Sequence, residues 1–490
     1  MSGVHSICFA ASEIAPFAKT GGLADVSAAL PLELHRQGHD VRLFMPCYSE
    51  LKTDGEQLEP VPGIVNIPVK IGWHEYHFTL RRCRYPGSDL DVHFVDCPEL
   101  FHRRSIYTQD DDEHRRFALF SHAVLISCQR LGFKPDIIHS NDWHTGLIPL
   151  LARTAYEWDA LFSRSRHLLT IHNIGYQGLF PESTIDDLGL SPWRYLLDQE
   201  DLTAERFSFL RTGLIYAHAI STVSPTYARE IQTTEFGMGL EGLLRSRQDR
   251  LIGILNGVDY RVWSPEKDAL IPYRYSAKRP AGKRKNKRFL LNKVGLPESV
   301  QPPLFGIVSR LTGQKGFELC MQVLPELLAA RNVRLVVLGS GESKYEQFFS
   351  ELQQRFPRRC LFYRGYNEEL SHWIEAASDF FIMPSRYEPC GLNQMFSLRY
   401  GTIPIVRRTG GLADSVEQID GDRGNGIIFD HFSARGLVWA IDRALQLYAD
   451  PKAMLAARQR AMLTDHSWAT RTKSYAKLYA RLIAERPASR

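Results

Sequence analysis

The feature that most restricts the fold of this chain is a strand, glycine loop, helix, strand grammar that occurs twice. Val4–Ala11 is a short apolar run that reads as a buried strand. Lys19-Thr20-Gly21-Gly22 follows it, and then Leu23, Val26, Leu30 and Leu34 mark one helical face, with a bend expected at Pro31. Val41–Met45 reads as the next strand and completes a βαβ unit. The grammar restarts at Leu304–Val308, which runs into Ser309-Arg310-Leu311-Thr312-Gly313-Gln314-Lys315-Gly316. A helix comes next, with Phe317, Cys320, Met321, Leu324 and Leu328 on one face. Strands at Val333–Leu338, Leu361–Tyr363 and Phe380–Met383 and a helix around Tyr345–Phe356 continue the alternation. Such alternation predicts an α/β fold with parallel sheets covered on both faces.

An internal echo supports two such domains. Thr20-Gly21-Gly22-Leu23-Ala24-Asp25 recurs as Thr409-Gly410-Gly411-Leu412-Ala413-Asp414, each copy preceded by a basic residue, Lys19 or Arg408. The expected architecture is two Rossmann-like, doubly wound domains facing an interdomain cleft, at residues 1–262 and 263–469. The boundary falls within Trp263–Ala281, where Pro265, Pro272 and Pro280 break the pattern. A length of 490 residues accommodates two or three domains without covalent staples.

Composition removes several function classes. No run approaches the roughly 18 apolar residues of a membrane span, and the N-terminus lacks the build of a signal peptide, so a soluble chain is expected. Eight Cys without a CxxC pair suit buried thiols in a reducing compartment. A net charge of +5 is too slight to imply nucleic acid. The one basic run, Lys283, Arg284, Lys285, Lys287 and Arg288, reads as a solvated helix face or linker, or else as a contact for an anionic or polyhydroxyl partner.

The loops narrow the chemistry. A dinucleotide fingerprint needs G-x-G-x-x-G and an acid ending the second strand; this chain has K-T-G-G-L and Met45-Pro46-Cys47. A P-loop is absent. Lys19 beside Gly21-Gly22 reads as a phosphate loop or as a tight turn with a solvent-facing lysine. Arg310 and Lys315, flanking a glycine turn, could face one diphosphate or be unrelated surface cations. His74 with His77, and His139 with His144, lack metal-ligand spacing, so no metal is expected. On sequence alone Glu388 reads as a carboxylate near a helix N-terminus, and His172 as a structural histidine ending a strand.

Six blocks then assemble in order: Lys19–Val26, Asn141–Thr145, His172–Gly178, Asn256–Asp259, Ser309–Gly316 and Glu388–Leu392. Together they resemble the bacterial glycogen synthases and plant starch synthases, over nearly the whole chain. The resemblance implies a GT-B fold and a retaining transfer of glucose from ADP-glucose to the non-reducing end of an α-1,4-glucan. UDP-glucose as donor, a small sugar acceptor, and an inactive glucan-binding protein are the alternatives. It implies a bacterial cytoplasmic enzyme without cofactor, nucleic-acid partner or membrane contact, and a C-terminal helix at about 470–490 packing back on the first domain. Its catalytic group would be Glu388, Arg310, Lys315, His172 and Asp142. Donor contacts would come from Lys19, Gly21, Gly22, Asn256, Tyr366, Cys390, Gly391, Leu392 and Asn393. Asn393 stands where many relatives carry Thr, which questions a hydroxyl contact to phosphate there.

Overall fold

Apolar strands alternating with helices build one large sheet in each of two units, mixed in the first and wholly parallel in the second. A computed structural model describes residues 3–53 and 57–485. Contacts group the described residues of Met1–Val223, Ala228–Ile254 and Trp468–Arg490 as one unit, and Ser224–Tyr227 with Leu255–Ser467 as the other.

The strands of the first unit are β1 (Ser6–Ala10), β2 (Asp40–Pro46), β3 (Glu59–Pro60), β4 (Ile67–Ile71), β5 (His74–Arg84), β6 (Asp91–Asp96), β7 (Ile137–Asn141), β8 (Arg166–Ile171), β9 (Leu179–Pro181), β10 (Arg206–Ser208), β11 (Ala219–Thr222) and β12 (Leu251–Gly253). The main sheet runs β12-β11-β8-β7-β1-β2-β6-β5-β3, with β4 also on β5. Pairing is parallel from β12 through β6 and antiparallel among β3, β4, β5 and β6. The first strand is shorter than its apolar run, because Val4 is 73% exposed and lies outside it. The helix Gly22–Arg36 continues through Pro31 and buries Leu23, Val26, Leu30 and Leu34.

Helix Trp468–Ala484 belongs to this same unit and buries Trp468, Tyr475, Leu478, Tyr479 and Leu482. The Tyr479 hydroxyl meets His139 Nδ1 at 2.8 Å, and Arg250 reaches the Glu485 carboxylate at 2.6 Å. Residues 486–490 of the expected C-terminal helix lie outside the described residues.

The second unit holds β13 (Leu304–Val308), β14 (Arg334–Gly339), β15 (Cys360–Arg364), β16 (Phe380–Met383), β17 (Ile403–Arg407) and β18 (Ile427–Phe429), all parallel, in the order β15-β14-β13-β16-β17-β18. Helix Phe317–Ala330 buries Phe317, Cys320, Leu324 and Leu328, but Met321 is 38% exposed. The buried arc of that helix widens through Leu319 and Val323 on its other side, which leaves Met321 at the edge.

Two sequence readings change for reasons of packing. Trp263–Ala281 is packed structure: Trp263 stacks between His372 and Phe396 at centroid separations of 3.8 and 4.0 Å. The Tyr275 hydroxyl donates to the Tyr400 carbonyl at 2.7 Å. The second unit therefore takes up the chain at Leu255, ahead of 263.

The basic run is likewise only half solvated. It lies on helix Ala281–Lys293, where Arg284, Lys285 and Arg288 are exposed but Lys283 and Lys287, four apart on the inner face, are buried. Lys283 Nζ donates to the Glu375 and Ala376 carbonyls and to Thr402 Oγ1. Lys287 Nζ donates to Asp379 Oδ2 at 2.6 Å and to the Val300 and Pro302 carbonyls. With these bonds made, both Nζ groups anchor the helix to the residues beneath it, and neither is left to bind a partner. Lys287→Met leaves buried Asp379 with Arg458 as its remaining cation and two carbonyls without their donor, so it should cost about 2 kcal/mol. Lys285→Ala should stay within about 0.5 kcal/mol of the parent. Urea unfolding of the two variants checks both figures.

Candidate functional site

A doubly wound sheet exposes loops where its strand order reverses, because successive crossovers there leave in opposite directions. In the first unit the chain leaves β1 toward β2 and later returns on the other side as β7, so the reversal lies between β1 and β7. In the second it leaves β13 toward β14 and returns as β16, so the reversal lies between β13 and β16. Most of the sequence-predicted residues fall at the carboxyl ends of these strands, while His172, Asn256 and Tyr366 follow β8, β12 and β15.

In the first unit, the loop after β1 is organised by Glu13, a residue the sequence motifs did not single out. Its buried carboxylate accepts from the Thr20 amide, from Thr20 Oγ1 at 2.6 Å, from the Gly21 amide at 3.3 Å and from the Tyr107 hydroxyl at 2.5 Å. The Gly21 N–H is thus engaged by the protein itself. A Cβ at Gly21 would meet nothing within 4 Å, so this glycine opens space at the loop surface. Lys19 Nζ contacts Asp25 Oδ1 at 2.7 Å, with both side chains about one-third exposed. Such a surface pair is worth little and exchanges readily. The only sequence sign of Glu13 is an acid just past the end of a largely apolar strand.

After β7, Asp142 is buried with φ 55° and ψ −173°, a region costly for a residue with a side chain and typically held at functional sites. Its Oδ1 accepts the His172 amide at 2.7 Å. Burial pushes its carboxyl up to about 7, although the His172 and Asn173 amides pull the other way. His172, after β8, pairs its Nε2 with Asn141 Oδ1 at 2.9 Å, and burial lowers it to about 3, so the ring is neutral. The Asn141 amide nitrogen donates to the Ala10 carbonyl at 3.0 Å. This orients Oδ1 toward His172, which must donate from Nε2 and keeps its lone pair on Nδ1. Trp143 and His144 pack the loop, with ring centroids 4.1 Å apart. His139 is saturated by Tyr479 and Thr170, and His74 meets Asp187 at 3.0 Å.

In the second unit, Arg310 follows β13, is exposed, and has no carboxylate within ion-pair distance among the described residues. Lys315 Nζ donates to Glu388 Oε2 at 2.6 Å, and Ser385 Oγ donates to the same oxygen at 3.0 Å. Glu388, following β16, is 4% exposed, so its charge is held by Lys315 and is not capping a helix. Gly316 sets this turn with φ 72°; a Cβ there would lie 2.0 Å from the Pro384 carbonyl oxygen. Gly410 plays the matching part in the echoed motif, since its Cβ would lie 1.9 Å from the Glu388 carbonyl. The two copies of Thr-Gly-Gly-Leu-Ala-Asp thus do different work: the first shapes an open loop, and the second packs under the Glu388 loop.

Cys390, Gly391, Leu392 and Asn393 lie on the loop and helix start that follow β16. Asn393 Nδ2 donates to the Val308 carbonyl at 2.7 Å and ties helix Asn393–Tyr400 to the end of β13, a reach that suits an amide. Cys390 is buried, Gly391 has φ 70°, and Leu392 precedes the first turn of that helix. Asn256 is buried, with its Oδ1 accepting no hydrogen bond. Tyr366, beyond β15, is 70% exposed.

Cations and a buried carboxylate thus stand at a reversal of strand order in a doubly wound unit. The starch synthase catalytic domain family matches residues 6–246, and the glycosyl transferases group 1 family matches residues 291–461. A glycogen synthase of Myxococcus xanthus is 46% identical over 486 residues, covering 98% of this chain and 100% of that protein. One of Geobacillus stearothermophilus is 41% identical, covering 97% and 98%. The catalytic domain of starch synthase IV from Arabidopsis thaliana, bound to ADP and acarbose, superimposes with a TM-score of 0.91 at 34% identity, covering 99% and 100%. Sucrose-phosphate synthase from Thermosynechococcus elongatus shares the fold, with a TM-score of 0.62 at 17% identity, covering 98% and 99%. The chain belongs to the glycogen synthase family.

The Asp142 carboxyl has a directional consequence. It titrates near 7 when folded against an ordinary 3.8, so the folded state holds the extra proton between these values. Its contribution to stability therefore falls as pH rises from about 4 to about 7 and is level above that. Asp142→Asn removes this dependence. Its unfolding midpoint relative to the parent should climb across that interval and then stay flat, as read by denaturant titration at pH 5, 6, 7 and 8.

Proposed function

We propose that this protein transfers glucose from ADP-glucose to the non-reducing end of an α-1,4-glucan, with retention of anomeric configuration, in the cytoplasm. The observation that carries this reading is the Lys315–Glu388 pair at the β13/β16 reversal, with exposed Arg310 just past β13. The relatives' names support the glucan, and the ADP named in the Arabidopsis structure supports the nucleotide.

Breaking the sugar–phosphate bond builds negative charge on the departing diphosphate, so cations fixed there favour the transition state over the ground state. Arg310 offers a planar fork. Lys315 donates one proton to Glu388 and keeps two for phosphate oxygens. Each cation is worth about 2–4 kcal/mol at an effective dielectric near 20, which is roughly 30- to 1000-fold in rate. The N–H groups of Gly391 and Leu392, entering helix Asn393–Tyr400, add the partial positive charge of a helix start. Asn393 acts through its bond to Val308 and needs no hydroxyl at the phosphate. Cys390 keeps this loop small.

Glu388, held beside Lys315, orients the glucose hydroxyls and stabilises positive charge near the anomeric carbon. The leaving phosphate accepts the acceptor's proton on the same face, which gives retention without a second carboxylate. Neutral His172 serves a glucose hydroxyl, and Asp142 serves the sugar or acceptor. Lys19 and the backbone at Gly22 serve the diphosphate. Gly21 shapes that loop while its own amide goes to Glu13. Asn256 meets the donor through its unpaired Oδ1, and Tyr366 stacks near the adenine.

Purified protein supplied with glycogen should incorporate labelled glucose from ADP-glucose faster than from UDP-glucose, and fructose should not replace glycogen. Preference for UDP-glucose, or transfer to fructose alone, would overturn the reading. Arg310→Ala should cut kcat at least tenfold with thermal stability unchanged, because that side chain is exposed. Lys315→Ala should show a similar kinetic loss and also unfold more easily, by about 1–3 kcal/mol, since it strips buried Glu388 of its partner.

A further inference from the structure

We propose that Cys47, Asp96 and His102 form a zinc-binding site at the carboxyl ends of β2 and β6, apart from the transfer chemistry. The pairing of those two strands puts Cys47, one residue past β2, beside Asp96, the last residue of β6; the Cys47 amide donates to the Val95 carbonyl at 2.9 Å. The chain then turns through the short helix Pro98–Phe101 and brings His102 back over the pair. One ligand atom from each residue lies within 4.8 Å of the other two.

Several observations fit a borderline-soft divalent cation. The donors are one thiolate, one imidazole and one carboxylate, a set that zinc accepts and that calcium or magnesium does not favour. Asp96 is 7% exposed, and its Oδ1 accepts no hydrogen bond, while Oδ2 takes Arg81 Nε at 2.5 Å. Arg81 thus orients the carboxylate and leaves one oxygen open, as outer partners do for metal-bound carboxylates. His102 Nε2 lies 3.3 Å from that open oxygen without the geometry of a hydrogen bond. Tetrahedral zinc, with bonds of about 2.0–2.1 Å to N and O and about 2.3 Å to S, holds its ligand atoms roughly 3.3–3.6 Å apart. The 3.3 Å separation of His102 from Asp96 already fits, and the thiol lies within 4.8 Å of a ligand atom of each. Cys47 and Asp96 are buried, whereas the His102 side chain is 41% exposed, which leaves an entry path and room for a water as fourth ligand.

Cobalt(II) is the spectroscopic probe, and the full chain is the test object. Titration should give one cobalt per chain with a thiolate-to-metal absorption band, and added zinc should displace it. Cys47→Ser should abolish the band. His102→Ala, an exposed change that should leave metal-free thermal unfolding unchanged, should weaken affinity at least tenfold. Zinc should raise the unfolding temperature of the parent and not that of His102→Ala. No thiolate band in the parent, a band that survives Cys47→Ser, or equal affinity in His102→Ala would each overturn the proposal.

Discussion

A parallel strand can be followed by another only through a crossover that covers one face of the sheet, and a sheet begun from its middle strand must send its crossovers to opposite sides. In both units the opening strand of the wound sheet is central, β1 in one and β13 in the other. That constraint leaves two reversals where loops diverge and backbone N–H groups face outward. Every residue argued to touch the donor or acceptor sits on a loop or helix start at the carboxyl ends of these sheets. The catalytic reading depends on this before it depends on any side chain.

Burial then decides how each group behaves. Glu388 and Lys315 satisfy each other at 2.6 Å, so a carboxylate can stay charged almost out of water beside a cation that still has protons to give. Asp142 has amide donors but, among the described residues, no cation in ion-pair contact, and its carboxyl is pushed up to about 7 by burial. His172 is held neutral by burial, with its tautomer set by Asn141. Glu13 applies the same physics to backbone: a buried carboxylate gathers the amides of Thr20 and Gly21 and holds the loop that carries Lys19. These are polar groups placed where low dielectric strengthens what they do.

Much of the fold was legible because its signals are local. Phe380–Met383 is a strand with the bounds its apolar run suggests, and Leu23, Val26, Leu30 and Leu34 face the core as their spacing requires. The glycine turns at Gly21-Gly22 and Gly313–Gly316 fall between strand and helix, as expected. The basic run misled because charge alone does not reveal which face of a helix packs. Lys283 and Lys287 are buried by carbonyls and a carboxylate that arrive from residues 300 to 402. The prolines of Trp263–Ala281 read as a domain boundary because a broken helical pattern does not distinguish solvent from irregular packing.

The sequence by itself determined the alternation of strands and helices, the places of the glycine turns, and which charged and polar residues stand at strand ends, because each depends on neighbours a few positions away. Only the tertiary structure decided that Glu13 governs the Lys19 loop, that Lys315 neutralises Glu388 across seventy-three residues, and that Cys47, Asp96 and His102 meet. Those encounters are set by which strands pair and in what register. Register is a property of the whole sheet, and no local stretch of chain contains it.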